Sequence, residues 1–379
     1  MKIVIAIDSF KGSLTSSLQA GSAVKDAINR LDDKHQVLVK PLADGGEGTV
    51  EALAESTNAQ MIELSVKGPL LNPVNAKYCI LKDTNTVIIE MAAASGITLI
   101  SDGERNPLKT TTYGVGELIK DAISRGCRRF IVGIGGSATN DGGTGMLTAL
   151  GYEFLNENKE PIALGAKGLK DLCEIKTDKV IPELKECNFN IACDVTNPLC
   201  GEKGCSAVFG PQKGATPEMI KDMDDWLENY AEISKTVSKK ADKNYPGSGA
   251  AGGLGFAFLA FTNATLKSGI QIILEELEIE NDIKNADIVV TGEGRLDSQT
   301  VMGKAPIGVA KLAKKYGKKV VAFSGCVTED AEVCNEHGID AYFPIVRGVT
   351  TLEDELNPSN AFKNLNATAY QVCRLLIYQ

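Results

Sequence analysis

The feature that most constrains this chain is one pattern met three times: a short apolar run, a glycine-rich polar loop, then helical periodicity. Phe130 to Val132 opens into a loop holding Gly133, Gly135, Gly136, Ser137, Thr139, Asn140, Asp141, Gly142, Gly143 and Gly145. Asp287 to Val290 runs into Thr291-Gly292-Glu293-Gly294-Arg295-Leu296-Asp297, and Val37 to Lys40 leads to Ala43-Asp44-Gly45-Gly46-Glu47-Gly48-Thr49. Parallel strands are buried on both faces and read as unbroken β-branched runs. In open α/β sheets the loops at their carboxyl ends are where ligands bind. The chain is therefore expected to be α/β, with three chemically rich loops serving one assembled site.

The rhythm extends to both ends of the chain. Lys2 to Ile7 reads as a buried strand, and Thr15 as the cap of a helix to about Leu31, with Leu18, Val24, Ala27, Ile28 and Leu31 facing inward. A strand over 36–40 and a helix over 45–55 follow. Late in the chain come strand 287–291, helix 305–316, strand 320–324, a helix from Asp330, strand 341–345 and a closing helix. The middle differs. Between Ile62 and Met91, extended segments broken by Gly68-Pro69, Asn72-Pro73 and Asp83-Thr84-Asn85 predict antiparallel strands. Helices are expected over 112–125 and 216–239. These changes imply an inserted domain, with residues 1–65 and 285–379 forming one α/β domain and 66–284 the other.

Composition narrows the partners. With 40 basic and 49 acidic side chains the net charge is −9, which excludes nucleic acid as an expected partner because phosphate contacts along a duplex need a basic surface. An apolar start that breaks at Asp8, and no apolar run of membrane-spanning length, predict a cytoplasmic protein with no membrane association. The ten cysteines are scattered. Cys193, Cys200 and Cys205 lack zinc-site spacing, so reduced thiols are expected.

The loops carry the chemistry. There is no P-loop, and no GxGxxG fingerprint follows the first strand, where Asp8-Ser9-Phe10 stands instead. Only His35 and His337 are present, so a general base is expected to be a carboxylate or lysine. Asp8, Asp44, Glu47, Asp141, Asp194, Glu293 and Asp297 all fall at or just past expected strand ends. Singly, each is equally a turn or helix-cap residue. As a set they suit phosphoryl transfer, where Mg2+ takes one or two carboxylates plus phosphate oxygens and another carboxylate receives the hydroxyl proton. Backbone N–H groups at Gly135 and Gly136, with Ser137, Thr139 and Asn140, suit a phosphate, helped by a helix starting near Gly143. Lys11, Lys213, Arg295 and Lys304 lie in comparable loops. The run Gly247 to Gly255 is either a tightly packed helix start or a flat surface for a nucleotide.

Eight segments, spanning nearly the whole chain in order, together resemble the bacterial glycerate kinase family: IAIDSFKGSL, PLADGGEGT, NPLKTTTYGVGELI, GIGGSATNDGGTG, CDVTNPLCG, FGPQKGA, GSGAAGGLG and TGEGRLDSQTVMGKAPIGVA. One small departure is Ile7, where many members have proline. The resemblance implies two α/β domains with a cleft between them. One is Rossmann/flavodoxin-like with a parallel sheet built from both chain ends, and the other is an inserted mixed-sheet domain. It implies ATP as donor, Mg2+ as cofactor and D-glycerate as acceptor, phosphorylated at the 2-hydroxyl, with the 3-hydroxyl product as alternative. A nucleotide-binding dehydrogenase and a nucleotide sensor are rival readings. On this basis Asp194, Asp297 and Lys11 are expected to be catalytic, with Asp194 favoured as base because Asn197-Pro198 would stiffen its loop. Gly135, Gly136, Ser137, Thr139, Asn140 and Lys304 are expected to hold the nucleotide, Arg295 and Ser9 the glycerate, and Asp44, Glu47 and Glu293 the metal. A homodimer is an allowed assembly.

Overall fold

The computed structural model describes residues 1–42, 50 and 58–378, which fall into two compact units: 1–42 with 270–378, and 50 with 58–269. The helix expected over 45–55 lies outside the described residues apart from Val50.

The first unit is a five-stranded sheet in the order Gln36–Pro41, Lys2–Ile7, Ile288–Leu296, Lys319–Val327, Ala341–Pro344, every neighbouring pair parallel. Counted along the chain this is the flavodoxin-like order 2-1-3-4-5, whose switch point lies between the Lys2–Ile7 and Ile288–Leu296 strands. Ile3, Ile5 and Ile7 join a core with Val24 and Ile28 of the Ser17–Leu31 helix and Leu365 and Ala369 of the Pro358–Ile377 helix. The alternate residues Val4 and Ala6 are buried as well, so the sheet is covered on both faces. The first helix is capped by Ser16, whose hydroxyl accepts from the Gln19 N–H, one residue later than expected. Leu18, expected to face inward, is exposed, because at 3.6 residues per turn it lies roughly a third of a turn round the helix from Val24.

The second unit is a six-stranded mixed sheet in the order Asn263–Lys267, Asn188–Ala192, Arg129–Gly133, Thr86–Glu90, Pro73–Leu81, Ala59–Lys67. The first four strands are parallel, and the last two join by antiparallel pairing. The extended stretch before Met91 is thus the antiparallel edge expected from its turn signals. The stacked rings of Phe130 and Phe189, 4.7 Å apart, sit in the core. Thr216 caps the Pro217–Ser234 helix, which buries Met223 and Tyr230 and half-buries Trp226. All ten cysteines are free thiols. Among the described residues no helix is long and apolar enough to cross a membrane.

Candidate functional site

At the switch point of the first unit, the loop expected from Thr291 gives way to a longer strand. Thr291 to Leu296 does not leave the sheet but keeps pairing, with Leu296 opposite Val327. Glycines permit this. A Cβ on Gly292 would lie 2.2 Å from the Phe323 carbonyl oxygen, and one on Gly325 2.6 Å from that of Gly294. Gly294 also lets the Phe10-Lys11 backbone approach, since its Cβ would sit 3.3 Å from the Lys11 nitrogen. The Asp8 N–H donates to the Gly292 carbonyl at 3.0 Å, and the Ser9 N–H to Asp8 Oδ1 at 2.6 Å. Asp8, Ser9 and Lys11 are thereby gathered beside the Glu293–Asp297 segment.

There a charged cluster forms. Lys304 Nζ lies 3.3 Å from Asp297 Oδ1 and 3.9 Å from Glu293 Oε2, and Arg295 Nε lies 3.3 Å from Asp297 Oδ2. The Thr300 hydroxyl donates to Glu293 Oε1 at 2.8 Å and accepts from the Asp297 N–H, tying the two carboxylates into one turn. Glu293 is buried, Lys304 half-buried and Arg295 exposed. Beneath them the Cys334 thiol is pushed up, by burial first and then by the Glu293 and Asp297 charges. Lys304, expected with the nucleotide loop, stands in this cluster. Asp44 and Glu47, expected as metal ligands, lie outside the described residues. Among the described residues no three His, Cys, Asp or Glu side chains converge as a metal site. Two hard carboxylates in one turn nonetheless suit Mg2+, which keeps waters and phosphate oxygens for its remaining positions.

In the second unit Glu90, Gly133, Ala192 and Lys267 end their parallel strands at one edge. The loop after Gly133 splits into two parts. Gly135 and Gly136 are exposed, with Gly136 at φ +70°, and Ser137 is just buried below them. Thr139, Asn140 and Asp141 are fully buried. The Asn140 side-chain amide donates to Ser206 Oγ at 2.9 Å, while Asn140 Oδ1 and Thr139 Oγ1 have no partner. These two residues therefore face the core in this structure, while Gly135 and Gly136 face outward.

Asp141 organises the loop. Its carboxylate accepts from the Thr112 N–H and hydroxyl, from Thr111 Oγ1 and from the N–H groups of Gly143 and Gly145. Burial raises its pKa, and these bonds work against that rise. The Thr144–Ala149 helix begins here, and its first N–H groups are already taken, those of Thr144 and Gly145 by Asp141 and that of Met146 by the Thr112 hydroxyl, contrary to the expectation that they would serve a bound phosphate. The glycine run 247–255 proves to be packing. Ala251, Gly252 and Gly253 all have positive φ, the Gly142 N–H donates to the Gly252 carbonyl at 2.9 Å, and a Cβ on Gly252 would lie 2.0 Å from the Thr139 oxygen.

Two more residues complete the set. Asp194 is exposed past the Asn188–Ala192 strand and accepts from the Gly269 N–H at 3.2 Å. Its loop is pinned through Asn197, which donates to the Lys203 carbonyl and accepts from the Gly249 N–H. Lys213, noted in the sequence only as one loop lysine among several, is buried. Its Nζ donates to Ser137 Oγ at 2.9 Å and to the Thr139 carbonyl at 2.7 Å. No local periodicity announces a buried lysine. The segment FGPQKGA, with a glycine directly after it, was the available signal.

A strand-end cluster of carboxylates and cations in a flavodoxin-like sheet, with a glycine loop over a buried lysine in a second unit, is the equipment of a phosphate-handling α/β protein. The chain belongs to the glycerate kinase family, whose model matches residues 3–377. It is 48% identical to a Haemophilus influenzae glycerate kinase over 379 residues, covering all of both chains. To an Escherichia coli K12 glycerate 2-kinase it is 46% identical, over 97% of this chain and 98% of that one. A Salmonella typhimurium LT2 crystal structure described as glycerate kinase 2 superposes with a TM-score of 0.91 at 46% identity, over 99% of this chain and 98% of that one.

Proposed function

We propose that this protein transfers a phosphoryl group from ATP to D-glycerate, giving 2-phosphoglycerate, with Mg2+. The family match across residues 3–377 carries the reading, and the 2-hydroxyl is favoured because the Escherichia coli relative is a glycerate 2-kinase. In this reading the outward N–H groups of Gly135 and Gly136, with Ser137, hold nucleotide phosphate. Glu293 and Asp297 hold Mg2+, which when bound neutralises phosphate charge. Lys304 and Lys11 offset the remaining charge, and Arg295 and Ser9 hold the glycerate carboxylate and hydroxyls.

Asp194 accepts the proton of the attacking hydroxyl. It is favoured over Asp297 because the Asp297 carboxylate is already engaged by both Lys304 and Arg295. Asp194 stands in a pinned loop, exposed to an incoming substrate. The test is ADP release on adding D-glycerate to protein, ATP and Mg2+, with NMR locating the phosphate on the product. Release is expected only with all components present. No turnover across a panel of small hydroxy acids would overturn the reading, and a 3-phosphate product would correct its regiochemistry.

A further inference from the structure

We propose that Lys213 is a positioning residue for nucleotide phosphate: its buried ammonium underlies the Gly135–Ser137 surface and turns the Ser137 hydroxyl outward as a donor. This rests on the reading above that the loop holds phosphate. An ammonium donates and never accepts, so Ser137 Oγ must accept from Lys213 Nζ. Its own proton is then left for another acceptor, and the residue lies next to the exposed Gly135 and Gly136.

The charge itself points the same way. Lys213 is 2% exposed and has no ion-pair partner among the described residues. Burying a cation with only neutral acceptors is costly. The nearest acid, Asp141, already accepts from Thr111, Thr112, Gly143 and Gly145. An anion resting on Gly135 and Gly136 would supply the missing countercharge. The backbone fixes the arrangement, because Gly214 directly follows at φ +88° and a Cβ there would lie 2.4 Å from the Arg105 oxygen.

Burial pushes Lys213 down to about 8, against the opposing influence of Cys205 and Asp141. Burial holds the Cys205 thiol up at about 11, and it raises Asp141 from the ordinary carboxylate value. Lys213 is thus mostly charged at neutral pH and mostly neutral a unit or two above its pKa, whereas bound phosphate favours the charged form.

The test is calorimetric ADP binding to the full chain from pH 7.5 to pH 9.5. Wild-type affinity should fall by about fivefold or more across that range, as the binding-competent fraction declines. Lys213→Arg should flatten the profile while keeping the neutral-pH affinity. Lys213→Met should bind about tenfold more weakly at pH 7.5, with a flat profile, and adding Ser137→Ala should then cost little more. A flat wild-type profile, which needs no variant to fold, overturns the proposal, as does unchanged affinity in folded Lys213→Met. Gly135→Val separates this from the underlying reading, since a Cβ at that position meets nothing within 4 Å in the free protein. If that variant binds ADP normally, the loop does not hold phosphate and both fall. If it binds weakly while the wild-type profile stays flat, only the role of Lys213 falls.

Discussion

The two units keep their charges in opposite ways. In the first, Lys304, Arg295 and Asp297 stand at a sheet rim, with Lys304 half-buried and Arg295 exposed. In the second, Lys213 and Asp141 are sealed beneath a glycine loop whose upper surface is bare backbone. Exposed pairs contribute about 0–1 kcal/mol to stability because water and salt screen them. Buried charges are screened far less, so each alters folding, protonation and ligand affinity together. The rim can be rearranged with little consequence for the fold. The buried charges cannot.

The sharpest test of this division is Asp194, a rim residue of the second unit. Asp194→Asn should lower kcat by about 10²-fold or more, with ADP affinity and thermal midpoint near wild type. If Asp297→Asn suffers that loss instead, the base belongs to the first unit and the two roles are exchanged.

Next in size is a stability effect peculiar to the buried lysine. Its folded-state pKa of about 8 lies below the ordinary lysine value of 10.5, so the unfolded chain binds more protons between those values. Stability then rises with pH through that window, by about 3 kcal/mol in full. Below pH 8 the penalty is wholly present. Denaturant unfolding across pH 7.5 to 10.5 should show this gain in wild type relative to Lys213→Met, which removes the contributions of other titrating groups. Nucleotide affinity moves the other way over the same range. A wild-type curve parallel to that of the methionine variant would place Lys213 with the exposed charges.

Smaller effects are expected at the rim of the first unit. Lys304→Met should lower kcat/KM about tenfold by removing a phosphate-neutralising charge, without changing the unfolding free energy by more than about 1 kcal/mol. Asp297→Asn should raise the Mg2+ concentration needed for half-maximal rate. Least of all, Ser137→Ala should cost about 0.5–1.5 kcal/mol of ADP binding, the value of one hydrogen bond. A loss several times larger would mean that the hydroxyl also holds Lys213 in place.

Much of the fold was legible because strand cores and helix periods are local signals. Lys2–Ile7, the antiparallel stretch before Met91, the helix after Thr216 and the closing helix all stand where their residues place them. The errors came where tertiary contact overrides a local rule. Thr291 to Leu296 reads as loop by its glycines, yet those glycines let it stay in the sheet against Phe323 and Phe10. Asp141 reads as a ligand-facing turn residue, yet its five donors come from segments about 30 positions apart. Lys213 reads as solvated because most lysines are. Only packing reveals otherwise. Asp44 and Glu47 were legible as chemistry but lie outside the described residues.

The sheet built from both chain ends also sets a timetable. The Lys2 N–H donates to Asp287, 285 residues further on, so the first strand's central neighbour does not exist until most of the chain has been made. At about 5–20 residues per second of synthesis the nascent amino-terminal segment waits roughly 15–60 s, with an apolar strand edge unpaired. The inserted sheet has all its strands between Ala59 and Lys267 and needs nothing from either end to pair. It can close during that wait, bringing the tethered first strand closer along the folded path to its partner than a free coil of the same length would allow. Synthesis speed from the first strand up to Leu296 thus determines how long Ile3 to Ile7 remains a target for chaperones, or for another copy of itself.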